Sequence, residues 1–351
     1  MKERRHLVGA LGAIVLAIAG LASCGTTGGK AGGEAGGAGP ACGCGSPGGG
    51  GGTPMTLAVI PKGSTHEHWA RVRIGAEKAA TELTAAGTPV RIVWKGPIRE
   101  DDREQQIQVV EGFVSQGVQG IVLAPLDSRA LKRPVEEAAG AGISTVVFDS
   151  ALEPPHPAVS YVSTDNGKGG RLAGRRMGEL LKGKGTVLML RYQEGSASTE
   201  EREAGFLAEL KSGFPGVTVI SADQYAGPTR DTAKRAAENL LNRFATRVDG
   251  IFTPNESSTA GMLLALQDIG KAGAITFVGF DYSSSFLEPL RKGELKGFVV
   301  QNPVNMGYLS VKTMVAHLRK QPVPATVDTG VELVTLDNLQ DPKIQAVINP
   351  K

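Results

Sequence analysis

The sequence predicts an α/β protein of two similar lobes, each a Rossmann-like, doubly wound parallel sheet, and three observations predict it. Short β-branched runs alternate with longer amphipathic segments from Thr56 onward, the pattern of a parallel sheet with crossover helices. The same alternation restarts after Asp165. Residues 54–351 also supply nearly three hundred positions of ordinary hydrophobic content, enough for two modest domains.

Taken in order, the runs at 56–60, 90–94, 120–124 and 144–148 are apolar without strict alternation, as strands buried on both faces are. Segment 101–116 typifies the helices between them. Ile107, Val110 and Val114 share one face, Asp102, Arg103 and Gln106 fall elsewhere, and Gly117 ends it. In the second half the strand runs are 186–190, 217–222, 250–253, 276–280 and 297–301. A further helix at 303–320 and a strand at 330–336 imply that the tail returns to a lobe already begun. The expected N-terminal lobe is therefore 55–164 plus 302–332 and the C-terminal lobe 165–301 plus 333–351, with hinge-like crossings between them.

Residues 1–54 read differently. Lys2, Arg4 and Arg5 precede fifteen apolar residues, Leu7 to Leu21, and small residues follow. That is the order of a secretory signal, and the run is short of the roughly 20 residues needed to span a membrane. Leu21-Ala22-Ser23-Cys24 resembles the bacterial lipobox, which makes 1–23 a lipoprotein signal peptide and Cys24 the lipidated residue. Residues 24–54, mostly Gly with Ala, Ser, Thr and Pro, cannot bury enough apolar surface to fold and read as a tether. Cys42 and Cys44 sit inside it, and three cysteines in all make no disulfide framework. Signal removal takes the net charge from +3 to about +1, which gives no footing for nucleic acid.

In open parallel sheets, ligands bind beyond the carboxyl ends of the strands. Polar residues gather at those ends: Asp149 follows 144–148, Asp281 follows 276–280, Asn255 lies two residues past 250–253, and Gln301 ends its run. Asp and Asn at such positions also cap helices and form turns, but their recurrence in both halves favours a shared site.

The pieces Val122-Leu123-Ala124-Pro125-Leu126-Asp127-Ser128, Thr164-Asp165-Asn166 with Gly169-Gly170, Glu201-Arg202-Glu203-Ala204-Gly205-Phe206 and Val278-Gly279-Phe280-Asp281, in this order, resemble the periplasmic sugar-binding proteins of the ribose-binding type. The resemblance implies a type I periplasmic binding protein: two lobes joined by a three-strand hinge, closing over one sugar and handing it to the transmembrane subunits of an ABC permease. It implies that Asp149 and Asp281 accept from sugar hydroxyls, that Arg202 donates, and that Asn255 and Gln301 do both. Trp69 falls where the family keeps an aromatic for the sugar face, with Tyr225 a weaker candidate. The loop Lys62-Gly63-Ser64-Thr65-His66-Glu67-His68 departs from the ribose pattern, putting His66 and His68 where Asn-Pro and an aromatic are usual. Ser150 stands where the ribose proteins have an arginine. Both departures argue against ribose itself. Replacing Arg202 or Asp281 by Ala is expected to abolish binding and leave stability largely intact.

Other chemistries fit less well. His66 and His68 are two apart on a loop, without the i, i+4 spacing and third ligand of a zinc site. Gly178 to Gly185 nearly spells a P-loop, but Gly185 stands where Ser or Thr would bind magnesium. No G-x-S-x-G elbow occurs in 54–351, so neither a cofactor nor an enzyme is expected. The remaining alternative is a monomeric extracytoplasmic sensor that presents its sugar to a chemoreceptor or receptor kinase.

Overall fold

The computed structural model describes residues 53–349; the signal, Cys24, Cys42 and Cys44 lie outside the described residues. The first sheet is built from β1 (Met55–Ile60), α1 (Glu67–Ala85), β2 (Val90–Trp94), α2 (Arg103–Ser115), β3 (Gly120–Leu123), α3 (Lys132–Gly140), β4 (Ser144–Phe148) and β5 (Ser160–Ser163). The second follows from α4 (Asn166–Leu180), β6 (Gly185–Arg191), α5 (Ala197–Gly213), β7 (Val217–Tyr225), α6 (Arg230–Phe244), β8 (Gly250–Phe252), α7 (Glu256–Asp268), β9 (Thr276–Phe280), α8 (Leu287–Lys292) and β10 (Phe298–Gln301). The chain then adds α9 (Pro303–Leu318), β11 (Thr326–Asp328), β12 (Val331–Val334) and α10 (Pro342–Ile348).

The strand orders are β2-β1-β3-β4-β5-β11 and β7-β6-β8-β9-β10-β12, so the two sheets repeat one topology. All pairings are parallel except β10 with β12. Apolar clusters cover both faces of each sheet, which is why the central strands read as unbroken apolar runs. The chain passes between the sheets after β5, after β10 and after β11, making three crossings. This is the type I periplasmic binding protein architecture. A boundary at residue 332 cuts through β12; the third crossing is at Thr329–Gly330.

Two strands are absent from the hydropathy pattern. Ser160–Ser163 is four residues with a serine at each end, and Thr326–Asp328 is a three-residue edge beside it. Segment 101–116 is corrected as well: the helix starts at Arg103, its cap Asp102 accepts from Gln105 N, and its core face includes Gln106. Gln106 is fully buried because its amide donates to the Pro61 and Ala124 carbonyls and accepts from Leu126 N. It thereby fixes the loops leaving β1 and β3, using a polar group that burial tolerates only when satisfied.

One helix crossing, α4 on α5, sets the approach to the interlobe face. A Cβ on Gly170 of α4 would lie 2.0 Å from the Arg202 carbonyl oxygen of α5, and one on Gly205 2.2 Å from that of Gly167. Gly170 and Gly205 in the motifs thus have a packing cause: they let α5 lie on α4 at backbone contact, and so fix Arg202, while Gly169 makes room for the Phe280 ring.

Candidate functional site

The carboxyl ends of both sheets face one another across a cleft lined by Lys62, His66, His68, Trp69, Glu100 and Asp149 from the first lobe. Tyr192, Ser198, Thr199, Arg202, Asn255, Asp281 and Gln301 line it from the second side and the hinge. The free space between these side chains measures about 20 Å³, room for about one water. A groove of about 770 Å³ along α1, α9 and α10 is far larger, but none of its lining side chains is buried and no charged groups converge there as they do in the cleft.

Asp149 and Asp281 end the equivalent strands β4 and β9 and share a left-handed backbone, φ 62° and 65°. Asp tolerates this region better than most residues, yet it remains a costly conformation that the surrounding contacts must hold. Asp149 lies 3.2 Å from Lys62 Nζ and 3.2 Å from His68 Nε2. The His68 approach is off the line a hydrogen bond needs, so that nitrogen has no bonded partner. Burial opposes ionisation of Asp149, but Lys62, His68 and Arg202 hold its carboxyl well below the usual range.

On the second lobe, Asp281 accepts from Gln301 Nε2 at 2.7 Å and from Glu256 N at 3.2 Å. That contact fixes the orientation of the Gln301 amide and leaves its Oε1 buried without a donor. Arg202 donates to Asn166 Oδ1 at 2.8 Å and to the Pro254 carbonyl at 3.1 Å, lies over the Phe280 ring, and approaches Asp281 to 3.6 Å. At 2% exposure it is a buried structural group as well as a cleft group, so its removal has to cost stability, contrary to the expectation from sequence. Asn255 has both roles too: it caps α7, accepting from Ser258 N, and still lines the cavity.

Trp69 packs in the first lobe's core against Phe148 and presents part of its ring to the cavity. Its Nε1–H donates to Glu100 at 2.7 Å. His66 donates from Nδ1 to the same carboxylate at 2.6 Å and faces the Pro228 carbonyl of the other lobe through Nε2 at 3.2 Å. Both ring nitrogens meet acceptors, so the ring carries both protons. Burial alone would lower its pKa; Glu100 outweighs this and raises it to about 9. Glu100 is correspondingly lowered to about 2, burial being more than offset by His66, Lys62 and Trp69.

Two residues named from sequence sit elsewhere. Ser150 is buried and accepts from Ser198 N of the opposite lobe at 3.1 Å, a tie between lobes outside the cavity lining. Tyr225, at the end of edge strand β7, is 40% exposed, stacks under Arg191 and does not line the cavity. Conversely, Lys62, Glu100, Tyr192, Ser198 and Thr199 line it without having been singled out. Lys62 and Tyr192 follow β1 and β6 closely, so the strand-end rule that finds Asp149 and Asp281 reaches them when applied to every strand.

Residues 57–322 match the family described as the periplasmic binding protein domain. The chain belongs to this family. Among curated members, this periplasmic binding protein is 26% identical over 288 residues to the D-ribose/D-allose-binding protein of Pseudomonas aeruginosa, covering 80% of this chain and 88% of that one. It is 30% identical over 237 residues to the ribose import binding protein of Bacillus subtilis, covering 67% and 75%. Among solved structures, a carbohydrate transporter solute-binding protein of Agrobacterium radiobacter in complex with D-arabinose superposes with a TM-score of 0.80 at 32% identity, over 85% of this chain and 99% of that one. An ABC transporter solute-binding protein of Agrobacterium vitis with bound D-fucose gives 0.79 at 30% identity, over 84% and 99%. The family is one of substrate-binding proteins.

Proposed function

We propose that this periplasmic binding protein captures a monosaccharide or similar polyol between its lobes and delivers it to an ABC importer. The observation that carries the reading is the convergence, from both lobes, of charged and amide groups of both signs. Lys62, Arg202 and protonated His66 stand among Glu100, Asp149 and Asp281, so that neither sign dominates and many directional partners are offered to neutral hydroxyls. The bonds these groups now make to one another, Lys62 to Asp149 and Gln301 to Asp281, are those that sugar hydroxyls take over when the lobes part and reclose. Gln301 Oε1 supplies a ready acceptor for one of them. A buried hydroxyl left without a partner is penalised by about 1 to 3 kcal/mol, which lets such a cleft reject epimers.

The similar proteins named above carry D-ribose, D-allose, D-arabinose and D-fucose in their descriptions, and pentoses, hexoses and 6-deoxyhexoses are therefore the classes to try first. We assign Asp149, Arg202, Asn255, Asp281, Gln301, His68 and the Trp69 ring to the sugar. The protein works as a monomer on the outer side of a membrane, held by lipid on Cys24 through the 24–54 tether. A thermal-shift screen over pentoses, hexoses, deoxy sugars and cyclitols tests the binding reading. A ligand at 100 times its Kd adds about 2.7 kcal/mol, a clear upward shift. No shift from any of them contradicts the reading. Cys24→Ser moving the protein from the membrane to the soluble fraction tests the anchor.

A further inference from the structure

The segment after β6 makes an uninterrupted series of bonds across the cleft. Tyr192 donates its hydroxyl to Glu100 Oε2 at 2.7 Å, and Gln193 Nε2 donates to the Glu100 carbonyl at 2.7 Å. The Glu194 carbonyl accepts from Arg103 Nη2 at 3.3 Å, and that of Gly195 accepts from Ser128 N at 3.0 Å. Gly195 adopts φ +86°, and a Cβ there would stand 2.4 Å from Asp127 Oδ2, so a side chain would push the segment off the facing lobe. Four consecutive residues each reach the other lobe, and two of them end on one residue, Glu100.

Glu100 is also the anchor of its own lobe's cleft wall. Its Oε1 accepts from both the Trp69 indole and His66, while Oε2 takes the hydroxyl from the opposite lobe. An indole N–H can only donate, so this carboxylate is what fixes the ring. All three partners are buried, and burial together with Glu100 pushes the Tyr192 hydroxyl well up, so it stays a donor.

We propose that Glu100 is a positioning residue that couples the Trp69 ring of the first lobe to the 192–195 segment of the second, so that ring orientation and cleft closure are set together. This rests on the sugar-binding reading. It gives a role to residues that need not touch the sugar, and it makes a change on one lobe readable at a tryptophan on the other.

The chain has two tryptophans, so Trp94→Phe leaves Trp69 as the single reporter. In that background, Tyr192→Phe and, as a milder change on a half-buried side chain, Gln193→Ala are compared with the parent. The readouts are Trp69 emission, radius of gyration by small-angle scattering, and affinity for D-arabinose and D-fucose. Circular dichroism confirms folding, and Gln193→Ala carries the test if Tyr192→Phe fails to fold. The expected result is a larger radius, a red-shifted Trp69 emission and, for Tyr192→Phe, affinity weakened about tenfold or more, the worth of a hydrogen bond to a charged group. Unchanged emission and radius in both variants overturn the coupling, whatever their affinity. If neither sugar binds the parent, the choice of ligand fails separately. The ligand-free emission and radius of the three proteins then decide the coupling by the same criterion.

Discussion

Replacing Arg202 by Ala separates a residue that merely touches a sugar from one that also holds the second lobe together. The guanidinium is 2% exposed and satisfies Asn166 Oδ1 and the Pro254 carbonyl while facing Asp281. Removing one member of a buried ion pair costs about 3 to 5 kcal/mol, and each acceptor left unpaired about 1 to 3 kcal/mol. These costs overlap because one side chain makes all the contacts, so about 3 to 5 kcal/mol is the working figure. For a body of roughly 300 residues, with an unfolding entropy of about 2 cal/mol/K per residue, that lowers Tm by roughly 5 to 8 °C. Differential scanning calorimetry measures the shift, and titration calorimetry with the sugar found by screening measures the loss of binding. Arg202→Lys keeps the charge and loses the planar fork, so it recovers part of the stability and little of the affinity. An Arg202→Ala protein with wild-type Tm, or one that binds sugar as tightly as the parent, refutes the reasoning.

Three further outcomes follow from the same contacts. Because the folded-state pKa of His66 is raised from 6.5 to about 9, its contribution is complete below pH 6.5 and is lost as pH rises through 9. That of Glu100, lowered from 4.5 to about 2, is complete above pH 4.5 and is lost as pH falls through 2. Tm against pH should therefore be flat between 4.5 and 6.5 on this account, and His66→Gln should remove the upper limb; persistence of that limb counts against the pair. Gly170→Ala places a Cβ against the Arg202 carbonyl and should destabilise by about 1 to 3 kcal/mol or more in urea unfolding, with sugar affinity falling as α5 shifts. Asp149→Asn keeps a side chain that tolerates the left-handed backbone but strips the counter-charge from buried Lys62; titration calorimetry should show affinity weakened about tenfold or more.

The two-sheet architecture was legible because strands buried on both faces must be apolar runs, and helices crossing over them must be amphipathic. Ser160–Ser163 escaped because it is only four residues long with a serine at each end, and Thr326–Asp328 because a three-residue edge needs no apolar run. Asp149, Asp281, Asn255 and Gln301 were legible as polar residues terminating apolar strands, and the structure brings all four to one cavity. Glu100 carried no such mark. It sits in a charged loop, Arg99-Glu100-Asp101-Asp102, that looks like any solvated turn, and only the fold reveals that Trp69, His66 and Tyr192 meet there. Gln106 was misplaced for a related reason: helical periodicity counts polar residues as outward, whereas a side chain that can satisfy three backbone groups is worth burying. Tyr225 was drawn in by residue type alone and stands on an exposed strand edge.

A crystal structure of the protein with its best-binding sugar tests the central claim most directly. The account predicts the sugar between the lobes, with hydroxyls within hydrogen-bond distance of Asp149 on one side and of Asp281 and Arg202 on the other, and with a ring face against Trp69. A sugar held by one lobe only, or seated in the groove along α1, α9 and α10, contradicts it.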